Sequence, residues 1–360
     1  MAETSVLRRL VRIAVRCRAV LYLLLLLAGI DILVAAHAAR WRAYDPSYYR
    51  ERLDACRRGD WDIVVVGGSP AMCGFDPDVL AGTRRHDRPL RRVFNFGLPL
   101  ATTVDVWHAV EHGLTRPPRL LVYGIAATDL NANRVGTQGP RYLMDLRDLA
   151  RVTRNRPTKA HWSLGRYLDE RLTSLWSLYH YRDGIRRWAA DRLDATWPGL
   201  CPDAATEAHI NLHNSAALRS PRGLMPEPPA RPESRLDCQK AAGHVPPPIP
   251  WLKDYDSRGY LPYLDRLLDW GAGRGVEVVL VNVPFSADIE ERAYPKEFAA
   301  YRATLTGAAR RRGVKMLWPS RAELGLTDAH FTDACHLNAD GAVRLSAWVR
   351  QRLEGEGGVR

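Results

Sequence analysis

The sequence predicts an α/β protein built on a parallel sheet covered by helices on both faces, and three observations carry that expectation. Short, mainly apolar runs recur at 62–67, 92–96, 120–124, 276–283 and 314–317, as strands buried on both faces do. Helical periodicity occupies 104–112, 260–272, 298–311 and 338–353 between and after them. The first run closes on Gly67 and leads into Gly68-Ser69-Pro70-Ala71-Met72, small residues that suit a strand-to-helix turn. Strands alternating with helices specify a sheet of parallel crossovers.

Ahead of this pattern, Arg8, Arg9, Arg12, Arg16 and Arg18 precede an apolar stretch from Ala19 to Ala39, interrupted by Asp31. Its 21 residues match the ~20 that cross a bilayer as a helix, and the arginines place the N-terminus on the cytoplasmic side. The competing reading is a cleaved signal peptide, with Ala36-His37-Ala38 as the small-residue cleavage site. Asp31 either meets a protein partner or water, or lies near the outer interface. The expected organisation is a basic N-terminus (1–18), a transmembrane anchor (19–39), a linker (40–60) and a sheet domain (61–130 and 251–360). A helical, Pro-rich insertion at 131–250 interrupts that domain between its third and fourth strands. Its aromatics Trp162, Tyr167, Trp176, Tyr179, Tyr181 and Trp188 stack on sugars or, as is commoner at helical spacing, form core.

Composition narrows the function. With 360 residues, 46% of them hydrophobic and 26% charged, the chain is not disordered. Lys and Arg outnumber Asp and Glu by 52 to 40, but the basic residues are scattered, which argues against nucleic acid and suits a membrane face or an anionic polymer. The six cysteines show no CxxC spacing, so no zinc site is expected from them. Export would permit disulfides, with Cys201–Cys238 and Cys73–Cys335 as candidate pairs. His209 and His213 are four apart but lack a third ligand, and no metal or other cofactor is expected.

The chemistry concentrates at the predicted strand ends. Ser69 falls at a helix N-terminus, where free N–H groups favour an oxyanion and Pro70 fits the first turn. Asp333-Ala-Cys-His336 places an acid three residues before a histidine, so that the acid can orient one imidazole nitrogen while the other acts as a base. Gly97 ends the second strand, where a backbone N–H can approach a ligand. Thr128 and Asp129 follow the third. Asp129 either polarises the site or caps the next segment; Arg134 either binds an anionic acceptor or is simply solvated. Asn338 is expected to cap the last helix.

Taken in order, these motifs resemble the SGNH, or GDSL-like, hydrolase superfamily. Ser69 matches its first-block serine, Gly97 its second-block glycine, and Asp333 with His336 the Asp-x-x-His of its fifth block. The resemblance implies a three-layer α/β/α, flavodoxin-like fold, a Ser69–His336–Asp333 triad, and an oxyanion hole formed by the N–H groups of Ser69 and Gly97. Two departures stand out. Gly-Gly-Ser-Pro replaces Gly-Asp-Ser, and Thr128-Asp129 stands where Asn-Asp is usual, so Thr128 supplies the missing side-chain donor or none does. With the N-terminal segment, the departures look most like the membrane-anchored SGNH-like acyltransferases of D-alanine transfer and alginate O-acetylation. That resemblance implies acyl transfer, with acetyl the expected group, onto a cell-envelope polysaccharide or polymer, beside a membrane-bound O-acyltransferase partner. An extracytoplasmic carbohydrate O-acetylesterase and a non-catalytic polymer-binding subunit are the alternatives.

Overall fold

A computed structural model describes residues 3–42, 49–85, 88–99, 101–132, 146–154, 164–165, 167–168, 176–196, 235–243 and 249–355. The chain falls into two units, 1–46 with 169–212, and 47–168 with 213–360. This division differs from the expected one. The stretch expected as a single insertion is shared, its first part to 168 grouping with the sheet and 169–212 with the N-terminal helix.

The N-terminal unit contains α1 (Glu3–Ala36) and α2 (Ala38–Arg42), followed later in the chain by α8 (Ser177–His180) and α9 (Arg182–Thr196). The expected 21-residue span is interrupted at His37, whose N–H turns back to the carbonyls of Leu33 and Val34, both at 3.2 Å. Among the described residues no helix is long and apolar enough to cross a membrane. Asp31 meets a protein partner, its Oδ1 accepting the Leu178 N–H at 2.9 Å at the start of α8. Trp41 and Trp188 meet edge to face, 5.3 Å between ring centroids. Tyr181 is buried and Trp176 exposed, so the expected aromatic core holds for part of the set; Trp162 lies outside the described residues.

The sheet unit begins with α3 (Tyr49–Arg58) and β1 (Ile63–Gly67), then α4 (Ser69–Gly74), α5 (Pro77–Leu80) and a small antiparallel pair, β2 (Thr83–Arg85) and β3 (Arg88–Leu90). It continues through β4 (Val93–Gly97), α6 (Thr103–Gly113), β5 (Leu120–Ile125) and α7 (Leu146–Arg154). After the N-terminal unit's α8 and α9 come α10 (Leu236–Ala241), α11 (Leu261–Gly273), β6 (Glu277–Asn282) and α12 (Pro295–Arg312). The unit closes with β7 (Lys315–Leu317), α13 (Arg321–Leu324) and α14 (Ala339–Glu354). Five strands form one parallel sheet in the order β4-β1-β5-β6-β7, the doubly wound order of flavodoxin-like sheets.

Alternate residues of each strand feed different cores, as a period of two requires. On one face Val64, Val66, Phe94, Phe96, Leu121 and Tyr123 pack with residues of α3, α6, α11 and α12, including Leu53, Val106, Leu267 and Tyr301. On the other face Ile63, Val65, Val93, Val122, Val279 and Val281 pack with Ala71, Phe75, Leu80 and the α14 residues Leu345, Val349 and Leu353. The carboxyl edge of this sheet, at a topological switch point between β4, β1 and β5, is where ligands bind in such folds.

Candidate active site

Ser69 owes its position to three glycines. Gly67, Gly97 and Gly124 are in register across β4, β1 and β5, and α4 lies on the floor they make. A Cβ on Gly67 would meet Gly124 O at 2.1 Å and Ala71 Cβ at 2.5 Å, and the Gly67 φ of +153° disfavours any other residue. A Cβ on Gly97 would meet Met72 Cα and N at 2.5 Å, and one on Gly124 would meet Ala71 Cβ at 2.8 Å. The floor lets the helix sit directly against the sheet, with Pro70 in its first turn.

Asn95, fully buried in β4, fixes the other end of that helix. Its Nδ2 donates to the carbonyls of Ala71 (3.2 Å), Met72 (3.1 Å) and Phe75 (2.8 Å), while its Oδ1 accepts the Gly97 N–H at 2.9 Å. The expectation that the Gly97 N–H faces a ligand is therefore corrected. That donor is already committed, and the residue is glycine because α4 leaves no room for a Cβ.

His336 and Asp333 arrive on a short loop pinned at its base. Phe331 and Leu337 form an antiparallel bridge, the Thr332 N–H donates to His336 O (2.9 Å) and the Ser286 N–H, after β6, donates to Ala334 O (2.9 Å). Asn338 caps α14, accepting the Gly341 N–H at 3.1 Å, as the sequence predicts. This brings the three residues into one chain of contacts: Ser69 Oγ to His336 Nε2 at 2.9 Å, and His336 Nδ1 to Asp333 Oδ2 at 2.7 Å. The other carboxylate oxygen, Oδ1, accepts the N–H groups of Cys335 and His336, each at 2.8 Å.

Charge in this chain is strongly polarised. Burial disfavours an imidazolium at His336, but the neighbouring Cys335 and Asp333 outweigh it and hold the histidine well above its ordinary value. Burial pushes the Cys335 thiol up, so it stays protonated at neutral pH and the standing charge beside the ring is that of Asp333. Burial opposes ionisation of Asp333, yet His336 and the Cys335 N–H hold its carboxyl well below the usual carboxylate range.

Asp129 is fully buried. Its Oδ2 accepts the N–H groups of Gly68 (3.3 Å) and Ala126 (3.2 Å), and its Oδ1 accepts the Thr128 hydroxyl at 3.2 Å. It thus ties the turn before Ser69 to the end of β5, a positioning task beside the serine rather than a cap on the next segment. Thr128, expected to replace the missing side-chain donor, gives its hydroxyl to Asp129 instead. Of the three expected oxyanion donors, the Ser69 N–H is the one with no partner among the described residues. Arg134, His209 and His213 lie outside those residues.

The cysteines correct a second expectation. Cys73 and Cys335 are separate thiols, and Cys335 Sγ lies 3.5 Å from His336 Nδ1. Cys238 is a free thiol and Cys201 lies outside the described residues. The sequence reading missed Asn95 and the bonding of Asp129; the visible signal for Asn95 was an amide between two phenylalanines in an otherwise apolar strand.

No family model matches the chain, and no curated protein matches it in sequence. Among solved structures it is similar to a Bacteroides fragilis protein provisionally described as an acylhydrolase. The identity is 8% over 88% of this chain and 98% of that one, at a TM-score of 0.36, too slight a likeness to bear on fold or activity.

Proposed function

We propose that the protein is a serine-dependent acyl-transferring enzyme. The observation that carries this reading is the continuous Ser69–His336–Asp333 chain at the carboxyl edge of a doubly wound sheet. In its neutral form His336 Nε2 takes the Ser69 proton as Oγ attacks an acyl carbonyl, and Asp333 stabilises the imidazolium that results. The proton passes to the leaving group, leaving an acyl ester on Ser69. An acceptor hydroxyl, activated in turn by His336, attacks that ester, and its proton returns through the imidazole as Ser69 is released.

In the finer reading the acyl group is acetyl and the acceptor is a cell-envelope polysaccharide or other polymer. The catalytic unit lies outside the cell membrane, beside a membrane-bound O-acyltransferase that supplies the acyl group. Membrane attachment through α1 is supported by its exposed apolar side chains, Val20 to Leu26 and Ile32 to Leu33, each more than half accessible. Exposed surface of this kind marks a membrane or protein contact, and the preceding arginines favour an N-terminus on the cytoplasmic side.

The test uses the full chain in detergent, wild type and Ser69→Ala, with p-nitrophenyl acetate in the presence and absence of a glycan oligosaccharide. Products are weighed by mass spectrometry. Acylated oligosaccharide formed by wild type but not by Ser69→Ala is the expected result. Acetate alone, lost in Ser69→Ala, would demote the transferase to an esterase. Equal product from both proteins would refute the role of Ser69.

A further inference from the structure

The loop that carries Asp333 and His336 is short and irregular. A single 3-10 turn, Asp328–His330, leads into it, and α14 follows from Ala339. The Phe331–Leu337 bridge and the bond from the Thr332 N–H to His336 O hold the loop's shape, but not its place relative to Ser69. That place is set from outside. Ser286, after β6, holds Ala334 O, and α10 holds the two carbonyls of the entering arm. The Leu236 N–H donates to Phe331 O at 3.0 Å, and Gln239 Nε2 donates to Thr332 O at 3.0 Å. Leu236 is buried in the same core as Phe331 and Leu337, so α10 is itself anchored. This helix belongs to the 131–250 stretch between β5 and β6, which here supports the loop of the triad.

One side chain of α10 joins both outside supports. Lys240 Nζ lies 2.6 Å from Asp328 Oδ2, in the turn that leads into the loop, and it also pairs with Asp288, two residues after Ser286. The side chains of Lys240, Asp288 and Asp328 are 28%, 17% and 32% accessible, and partly buried charges are screened less than those on open surface. Asp288 has a second cation in Arg292, at 2.8 Å from its Oδ1, but that side chain is 75% accessible and reaches only the one acid. Without Lys240, the two carboxylates that now share one ammonium would repel each other. The arm entering the loop and the arm holding Ala334 would then be driven apart.

We propose that Lys240 is a positioning residue for acyl transfer, keeping His336 within reach of Ser69 by closing Asp288 and Asp328 around one ammonium. It touches neither the triad nor the acyl group and acts through the two arms that hold the loop. The inference rests on the acyl-transfer reading of Ser69, and adds the last described helix of the 131–250 stretch to the machinery of that reaction.

The experiment treats the full chain in detergent with a fluorophosphonate, from which Ser69 Oγ displaces fluoride with His336 as the base. Labelling is followed by intact-protein mass spectrometry over a range of probe concentrations. Misplacing a catalytic group by ~1 Å can cost ~100-fold in rate, so Lys240→Met should lower the limiting labelling rate at least about tenfold and leave the half-saturating concentration nearly unchanged. Lys240→Arg keeps a cation between the two acids and should recover most of the rate, which a loss of packing alone would not predict. Labelling of Lys240→Met at the wild-type rate, or an equal loss in Lys240→Arg, overturns the proposal. Should Lys240→Met fail to fold, Asp328→Ala removes one arm of the bridge and must show the same fall in limiting rate, or the proposal fails. A wild-type chain labelled no faster than Ser69→Ala overturns the acyl-transfer reading and this inference with it. Normal labelling of wild type beside an equally fast Lys240→Met sinks the inference alone.

Discussion

Replacing Asp333 by Asn tests the triad through its geometry. Oδ1 of Asp333 accepts two backbone N–H groups, from Cys335 and His336, while Oδ2 faces His336 Nδ1 at 2.7 Å. Asparagine has one acceptor oxygen, and those two fixed donors will claim it. Its NH2 group is then forced against Nδ1 and must donate to it. The imidazole is left with its hydrogen on Nε2, pointing at Ser69 Oγ across 2.9 Å, and cannot accept the serine proton. Inverting the tautomer in this way in a serine triad costs ~10⁴ in rate, about 5 kcal/mol of transition-state stabilisation. Volume and both backbone hydrogen bonds are kept, so the variant should fold, with a thermal midpoint lowered only by loss of the Asp333–His336 charge pair. Single-turnover release of p-nitrophenol with wild type and Asp333→Asn measures the effect. Acylation of the variant within about tenfold of wild type would show that Asp333 does not set the tautomer, and the proposed mechanism would fail.

Three further outcomes follow from the same contacts. Since Asp333 holds His336 above its ordinary value, kcat/KM should level off at a higher pH than it would with an unperturbed histidine as base; a plateau already reached at the ordinary histidine value contradicts this. By linkage the same raised value adds stability that is full at low pH and is lost as pH rises through the folded-state pKa. Gly97→Ala retains the backbone N–H but drives a Cβ to 2.5 Å from Met72 backbone atoms, so it should cost about 1–3 kcal/mol in denaturant unfolding; unchanged stability would restore an open, ligand-facing glycine. Glu290, raised by burial to about 7, favours the folded state while protonated and loses that contribution as pH climbs from the unfolded value through about 7. Glu290→Gln should therefore flatten the thermal midpoint against pH between 4.5 and about 7, and an unaltered slope would assign that dependence to another group.

β1, β5 and β6 were legible because burial on both faces leaves a near-continuous apolar run, whereas β4, with Asn95 in its middle, and the short, part-buried β7 were placed by their alternation with helices. The β2–β3 pair was not, since Thr83-Arg84-Arg85 and Arg88-Pro89-Leu90 carry no such run. Ser69, Asp333 and His336 could be found because strand ends and local spacing place them. Gly97 was found for the wrong reason. A glycine needed for its N–H and one needed for its missing Cβ look identical in sequence, and only the 2.9 Å bond from its N–H to Asn95 Oδ1 separates them.

The commitments of Gly97 and Thr128 bear on which reaction the site can run. Each missing oxyanion donor costs roughly 10²- to 10³-fold in rate, and the described geometry leaves the Ser69 N–H to act without those two. A general esterase attacking unactivated esters with water would be heavily handicapped by that deficit. An enzyme charged by an activated acyl donor needs less oxyanion stabilisation to form its serine ester, and can then depend on binding its acceptor to position the second attack. The two cases separate on the second step. If transfer is the function, the acyl-Ser69 form should persist in water and collapse on adding acceptor, a difference that intact-protein mass spectrometry reads directly. Hydrolysis of the acyl-enzyme at the same rate with and without acceptor would instead make the site a hydrolase with a slow first step.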